Sequence, residues 1–191
     1  MKAKSFARRL FRRFFGTVLA VVVVLFAADY GIEKLGLYLY PKDYEEYVEK
    51  YSNEYGVDSD FCFALIKCES NFNPQAVSSA EAKGLMQMTP DTYRWVCGKL
   101  YGTDIDEELL FDPETNIKCG IWYISYLKTQ FSGEKEVIAA YNAGPSHVRE
   151  WLADTRYSTD GKTLETLPFK ETERHVEKVL KARDIYKKLY E

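Results

Sequence analysis

Between Ile66 and Pro90 the chain reads IKCESNFNPQAVSSAEAKGLMQMTP, and one residue in this stretch, Glu69, is placed for proton transfer. It closes an apolar run, Phe61-Cys62-Phe63-Ala64-Leu65-Ile66, which holds no breaker and reads as a buried helix. Asn71, Asn73 and Pro74 stop that helix just past the acid. A carboxylate at the C-terminal end of an apolar helix is poorly placed to carry charge, because partial desolvation and the helix dipole both oppose it. A general acid must hold its proton near neutral pH, so the position suits that task. Position alone equally suits a surface glutamate that happens to sit near a helix end. His147 and His175 stand alone in sequence and receive no chemical role, and Cys68 has no histidine partner in the motif that would make it a nucleophile.

The elements that must position Glu69 are marked by local signals. Asp58 is set to cap the Glu69 helix, with Val57 before it as a staple. Upstream, from Asp43, Tyr44, Tyr47, Val48, Tyr51 and Tyr55 recur at spacings of three and four until Gly56, an aromatic stripe better suited to packing than to stacking sugars. Downstream, Thr89-Pro90 opens a helix carrying Tyr93, Trp95, Val96 and Leu100, and Gly102-Thr103-Asp104 ends it. Asp106–Leu110 reads as a short helical turn. Asp112-Pro113 then opens a longer helix with Ile117, Ile121, Ile124, Leu127 and Phe131 on one face, ended by Ser132-Gly133. Further helices are expected over Glu134–Asn142, Ser146–Leu152 and Glu171–Tyr190, the last with Val176, Val179, Leu180, Arg183 and Tyr186 at helical spacing. Residues 154–167 are polar and irregular. No convincing strand is visible, so the fold class is mainly α.

A chain of 191 residues supports one domain with a real core and a little extra. The formal charge of −3 hides an asymmetry: Lys2, Lys4, Arg8, Arg9, Arg12 and Arg13 precede any acid, leaving −9 on the remainder. An acidic body argues against nucleic acid as a partner. The basic end is followed by the uncharged apolar run Phe14–Ala28, the pattern of an export signal or signal anchor with its cationic side held in the cytoplasm. The run is short against the ~20 residues of a full span, but apolar residues flank it on both sides. Phe26 stands where a cleavage site needs a small residue, which favours an uncleaved anchor. The expected organisation is therefore a basic segment and anchor over 1–29, a connector over 30–41, and a helical domain over 42–191.

Glu69-Ser70, Asn73-Pro74, Ala76, Ser78, Gly84-Leu85-Met86-Gln87 and Pro90 resemble the core motif of the family 1 lytic transglycosylases, lysozyme-like enzymes that cleave peptidoglycan strands. A second block is similar as well, Ala139-Ala140-Tyr141-Asn142-Ala143-Gly144-Pro145 with Val148 and Trp151. A weaker third is Pro168-Phe169-Lys170-Glu171-Thr172 with Val176 and Val179. The resemblance spans roughly Tyr44 to Tyr190. It implies a lysozyme-like helical fold, with Glu69 as catalytic acid and then base. It also implies substrate-binding roles for Ser78, Gln87, Tyr141, Asn142 and Glu171, peptidoglycan glycan as substrate, and no cofactor or metal. Two departures stand out. The family often has Gly where this chain has Glu81, and Arg and Tyr where it has Glu173 and His175.

The usual glycosidase scheme needs two carboxylates across the scissile bond. Glu81 and Asp91 lie near in sequence but match no catalytic position. In the family the substrate resolves this shortage. The 6-hydroxyl of N-acetylmuramic acid attacks the anomeric carbon and leaves a 1,6-anhydro end. Glu69 would then protonate the leaving oxygen and take the hydroxyl proton, with help from the sugar's acetamido group. Two rivals remain on the same motif: a muramidase that uses water, and a non-catalytic peptidoglycan-binding protein. The expected location is the cell membrane, single-pass, with the domain outside facing the wall; the sequence names no protein partner. Cys62, Cys68, Cys97 and Cys119 show no zinc spacing. Cys62 and Cys68 are about 9 Å apart along one helix, so any bridges would run to Cys97 and Cys119; four free thiols are the alternative.

Overall fold

A computed structural model of the chain describes residues 2–103 and 105–191; Asp104 and the side chains of the cationic N-terminal stretch lie outside the described residues. The backbone forms α1 (Lys2–Leu39), α2 (Glu45–Tyr55), α3 (Ser59–Glu69), α4 (Pro90–Tyr101), a 3-10 turn (Glu107–Phe111), α5 (Pro113–Gln130), α6 (Glu134–Ala143), α7 (Pro145–Ala153) and α8 (Lys170–Tyr190). The expectation of a mainly helical domain holds. Among the described residues the only sheet-like pairings are two isolated bridges, Val77 with Lys83 and Lys83 with Met88.

Contacts divide the chain after Pro41 into two compact units. In the first, Phe15–Leu39 is helical, holds an 18-residue stretch with a mean hydropathy of 2.1, and is long and apolar enough to cross a membrane. The stretch expected as a connector is helical as far as Leu39, since nothing before Pro41 breaks the backbone ladder.

In the second unit the helix ends follow their local signals. Asp58 accepts a hydrogen bond from Phe61 N at 2.9 Å, Thr89 accepts one from Thr92 N, and Asp112 one from Thr115 N. Gly56 and Gly102 close α2 and α4 at φ 66° and 71°, where a side chain would be strained. The Val48–Tyr51 face of α2 packs on α5. α3 contributes a continuous buried run from Phe61 to Ile66, and α8 packs along α3 and α6 with Val176, Val179, Ala182 and Tyr186. The Val, Leu, Ile and Phe side chains among them are each worth about 1.5–3 kcal/mol of burial, and together they fix the end of α3, and hence Glu69, against α8. Arg183, at the helical spacing expected along α8, pairs with Glu134 and Asp184. All four cysteines are free, so none of the bridges open to them is made. Burial pushes the Cys62 and Cys119 thiols up to about 12 and Cys68 up to about 11, which leaves them inert near neutral pH.

Candidate active site

Glu69 is the last residue of α3, and its side chain is only 14% exposed. Ser70, the next residue, ends the helix and also reaches out of it. Its hydroxyl donates to Leu85 O at 2.7 Å, tying the acid's helix to the Gly-Leu-Met-Gln turn.

That turn is held from below by a residue that no local sequence signal marks. Asn116 on α5 is fully buried. Its Oδ1 accepts from Met86 N at 2.8 Å, and its Nδ2 donates to Leu110 O at 2.7 Å and Lys83 O at 3.1 Å. Gly84 lies against these groups at φ 78°, and a Cβ there would collide with Leu110 O and the Asn116 amide, so only glycine fits. From the other side the Tyr141 hydroxyl donates to Met86 O at 2.7 Å. Burial, and after it the charge of Glu69, raises the Tyr141 phenol well above its ordinary range, so it stays a donor at any physiological pH. Gln87, at φ 48°, spends its Nε2 on Gly84 O and Ala76 O and so braces the loop. Ser78 Oγ accepts from Ala80 N and Ala82 N, in the same role. Glu81 sits at φ 60°, a left-handed geometry that suits the glycine common at this family position.

Glu69, Ser78, Gln87, Tyr141, Asn142 and Glu171 all line one open cleft of about 580 Å³. α3, the 70–89 loop, the end of α6 and the start of α8 therefore converge as the three sequence blocks suggest. Two histidines left without a role also line it. His147 stands on α7, its ring against Trp151 and Phe169. His175 lies one turn past Glu171 on α8, with Nε2 only 3.2 Å from Glu69 Oε1. That nitrogen is closed off from solvent and makes no well-directed hydrogen bond. Contact over a hundred residues of chain brings this pair together, and no local signal announces it. Among the described residues no cluster of His, Cys, Asp or Glu could hold a metal ion, and no Lys or Arg lines the cleft. The site holds one carboxylate withdrawn from solvent, Glu69, beside His175, in a cleft lined by hydroxyl, amide and phenol groups with Glu171 at its edge, an arrangement suited to moving one proton.

The family model described as the transglycosylase SLT domain matches residues 46–163. The chain belongs to this family. The match takes in the first two sequence blocks, and the third lies beyond its end. The soluble lytic murein transglycosylase of Escherichia coli K12 is 36% identical over 152 residues, covering 77% of this chain and 23% of that protein. A membrane-bound lytic murein transglycosylase C from Pectobacterium atrosepticum is 32% identical over 163 residues, covering 74% and 46%. Among solved structures, an inactive mutant of a lytic transglycosylase from Pseudomonas aeruginosa superposes with a TM-score of 0.69 at 35% identity, over 78% of this chain and 24% of that one. The 70 kDa soluble enzyme of Escherichia coli gives the same score at 30% identity. The chain thus spans about a quarter of the soluble relatives and under half of the membrane-bound one.

Proposed function

We propose that this chain is a peptidoglycan lytic transglycosylase that cleaves the MurNAc-β-1,4-GlcNAc bond with Glu69 as its acid and base. The observation that carries this reading is the place of Glu69: a carboxylate withdrawn from solvent at the head of a cleft that Ser78, Gln87, Tyr141, Asn142 and Glu171 line with it. The solved Pseudomonas aeruginosa relative is inactive with a single glutamate changed to glutamine, which accords with one acid doing the work.

Glu69 donates its proton to the glycosidic oxygen as the bond to the anomeric carbon breaks. The carboxylate left behind accepts the proton of the muramyl 6-hydroxyl as that oxygen bonds to the same carbon. The products are a new GlcNAc hydroxyl and a 1,6-anhydro end, with no water consumed. Tyr141 orients the acid or the sugar through the turn it braces, Ser78 and Gln87 shape the loop against the sugar, and Asn142 and Glu171 hold the strand at the cleft's edge. α1 acts as an uncleaved anchor, cationic end inward, that keeps the domain outside the membrane facing the wall. Mass spectrometry of muropeptides released from purified peptidoglycan by the full chain in mild detergent tests the reaction. Anhydromuramyl products that vanish with Glu69→Gln support it; reducing ends would make the enzyme a muramidase.

A further inference from the structure

On α8, Thr172, Val176 and Val179 are buried at helical spacing and bring His175 to the face that packs on α3. His175 stands where the transglycosylase motif often carries tyrosine. Its Nε2 meets Glu69 Oε1 at 3.2 Å, with each side chain 14% exposed. The nitrogen is closed off from solvent and has no well-directed hydrogen bond. A buried ring nitrogen in that state has lost water and gained nothing for it. Neighbouring donors are spent elsewhere: Ser70 on Leu85 O, Tyr141 on Met86 O, and Gln87 on Gly84 O and Ala76 O. The group within reach of Nε2 is the acid itself. Two bare lone pairs would repel at this distance. One proton between them relieves both, because an N–H donates to a carboxylate and a carboxyl O–H donates to a bare ring nitrogen.

The surrounding charges favour one proton on the pair over none or two. With none, the pair carries a negative charge at the negative end of the α3 dipole. With two, it carries a positive charge near Lys178, which lies one turn along α8 and donates to Cys68 O at 3.2 Å. The other titratable groups around it are held protonated or lie at the cleft wall. Burial keeps the proton on the Cys68 thiol of α3 and on the Tyr141 phenol of α6. His147 of α7 and the exposed Glu171 of α8 line the cleft, and the 70–89 loop adds no charged group to its lining. A tyrosine in place of His175 could donate to the carboxylate but could not take a proton up. Histidine ordinarily changes charge between about pH 5 and 8, so it can do both.

We infer that His175 is a positioning residue for the acid: Nε2 shares one proton with Glu69 Oε1 and keeps it in the cleft, so that Glu69 can donate it across the neutral range. The inference rests on Glu69 as proton donor in the proposed reaction. The pair neither gains nor loses a proton over a turnover, since the one given to the glycosidic oxygen is replaced by that of the 6-hydroxyl. The full chain in mild detergent, digesting purified peptidoglycan from about pH 5 to about pH 9, tests it. His175→Gln keeps a polar side chain that takes up no proton. Its rate should fall about tenfold at about pH 8, the change in protonated fraction over one pH unit, and less than about twofold at about pH 5. His175→Tyr should narrow the profile in the same way, and serves if His175→Gln fails to fold. An equal loss at every pH, or an unchanged profile, would overturn the inference. A second readout needs no turnover. The chain has only two histidines, so its nitrogen-15 imidazole signals are assigned with one variant. Glu69→Gln should move the titration of the His175 ring to lower pH and leave that of His147 in place. A His175 ring indifferent to Glu69 would overturn the pairing. A wild-type chain that releases no product while the His175 ring still responds to Glu69 would instead remove the reaction beneath the inference and leave the shared proton standing.

Discussion

Two glutamates in this domain are withdrawn from solvent at helix ends, and their surroundings differ in almost every respect. Glu136 lies in the first turn of α6 and is 2% exposed; its Oε1 accepts the backbone N–H of Leu164 at 2.8 Å. Together with the Lys135 ammonium, which donates to Leu164 O at 2.6 Å, it fastens the irregular 154–169 segment to the core. The positive end of the α6 dipole lies beside it. Glu69 ends α3 at the negative end of that helix's dipole, and no hydrogen bond among the described residues reaches its carboxylate. Its neighbours are His175 and open cleft. A buried acid whose lone pairs are engaged by backbone serves the fold, whereas one whose lone pairs are left to the cleft is available to a substrate. The difference lies in the partners, not in the depth of burial.

Substitutions at the two sites should therefore separate activity from stability. Glu69→Gln keeps the shape and removes the proton, so turnover should fall by roughly 10²–10⁴-fold while the thermal midpoint stays near wild type. Initial rates and a calorimetric melt check both halves. A comparable loss of stability would place Glu69 with the structural acids. Glu136→Ala should do the reverse. The orphaned Leu164 N–H and the lost packing should cost about 1–3 kcal/mol, read from urea unfolding, with the turnover of the remaining folded enzyme at low temperature unaltered. The smallest effect is expected in the loop beside Glu69. Glu81→Gly relieves a left-handed residue and should raise stability by about 0.5 kcal/mol. A fall would show that the Glu81 side chain has a contact that offsets its backbone geometry.

The same contrast explains what could be read from sequence. Helix limits were legible because their causes are local: Asp58, Thr89-Pro90 and Asp112-Pro113 at starts, Gly56 and Gly102 at ends. Glu69 was legible through its place at the close of an apolar run and through its motif. Asn116 was not, for a lone asparagine on an amphipathic helix does not reveal that a turn some thirty residues earlier will need two of its hydrogen bonds. His175 was hidden for the same reason, since its partner is on another helix. Trp95 could be placed on its helix, but the groove it forms with Tyr126 exists only once α4 meets α5. The reach of α1 to Leu39 was not legible, because a semi-apolar stretch without proline continues a helix as readily as it leaves one.

The central claim is that Glu69 transfers a proton between two oxygens of the substrate without admitting water. Digestion of peptidoglycan by the full chain in water enriched with oxygen-18 tests this most directly. The account predicts anhydromuramyl products that carry no label at the cleaved end. Reducing muramyl ends that carry one heavy oxygen would contradict it, and would mean that water is the nucleophile.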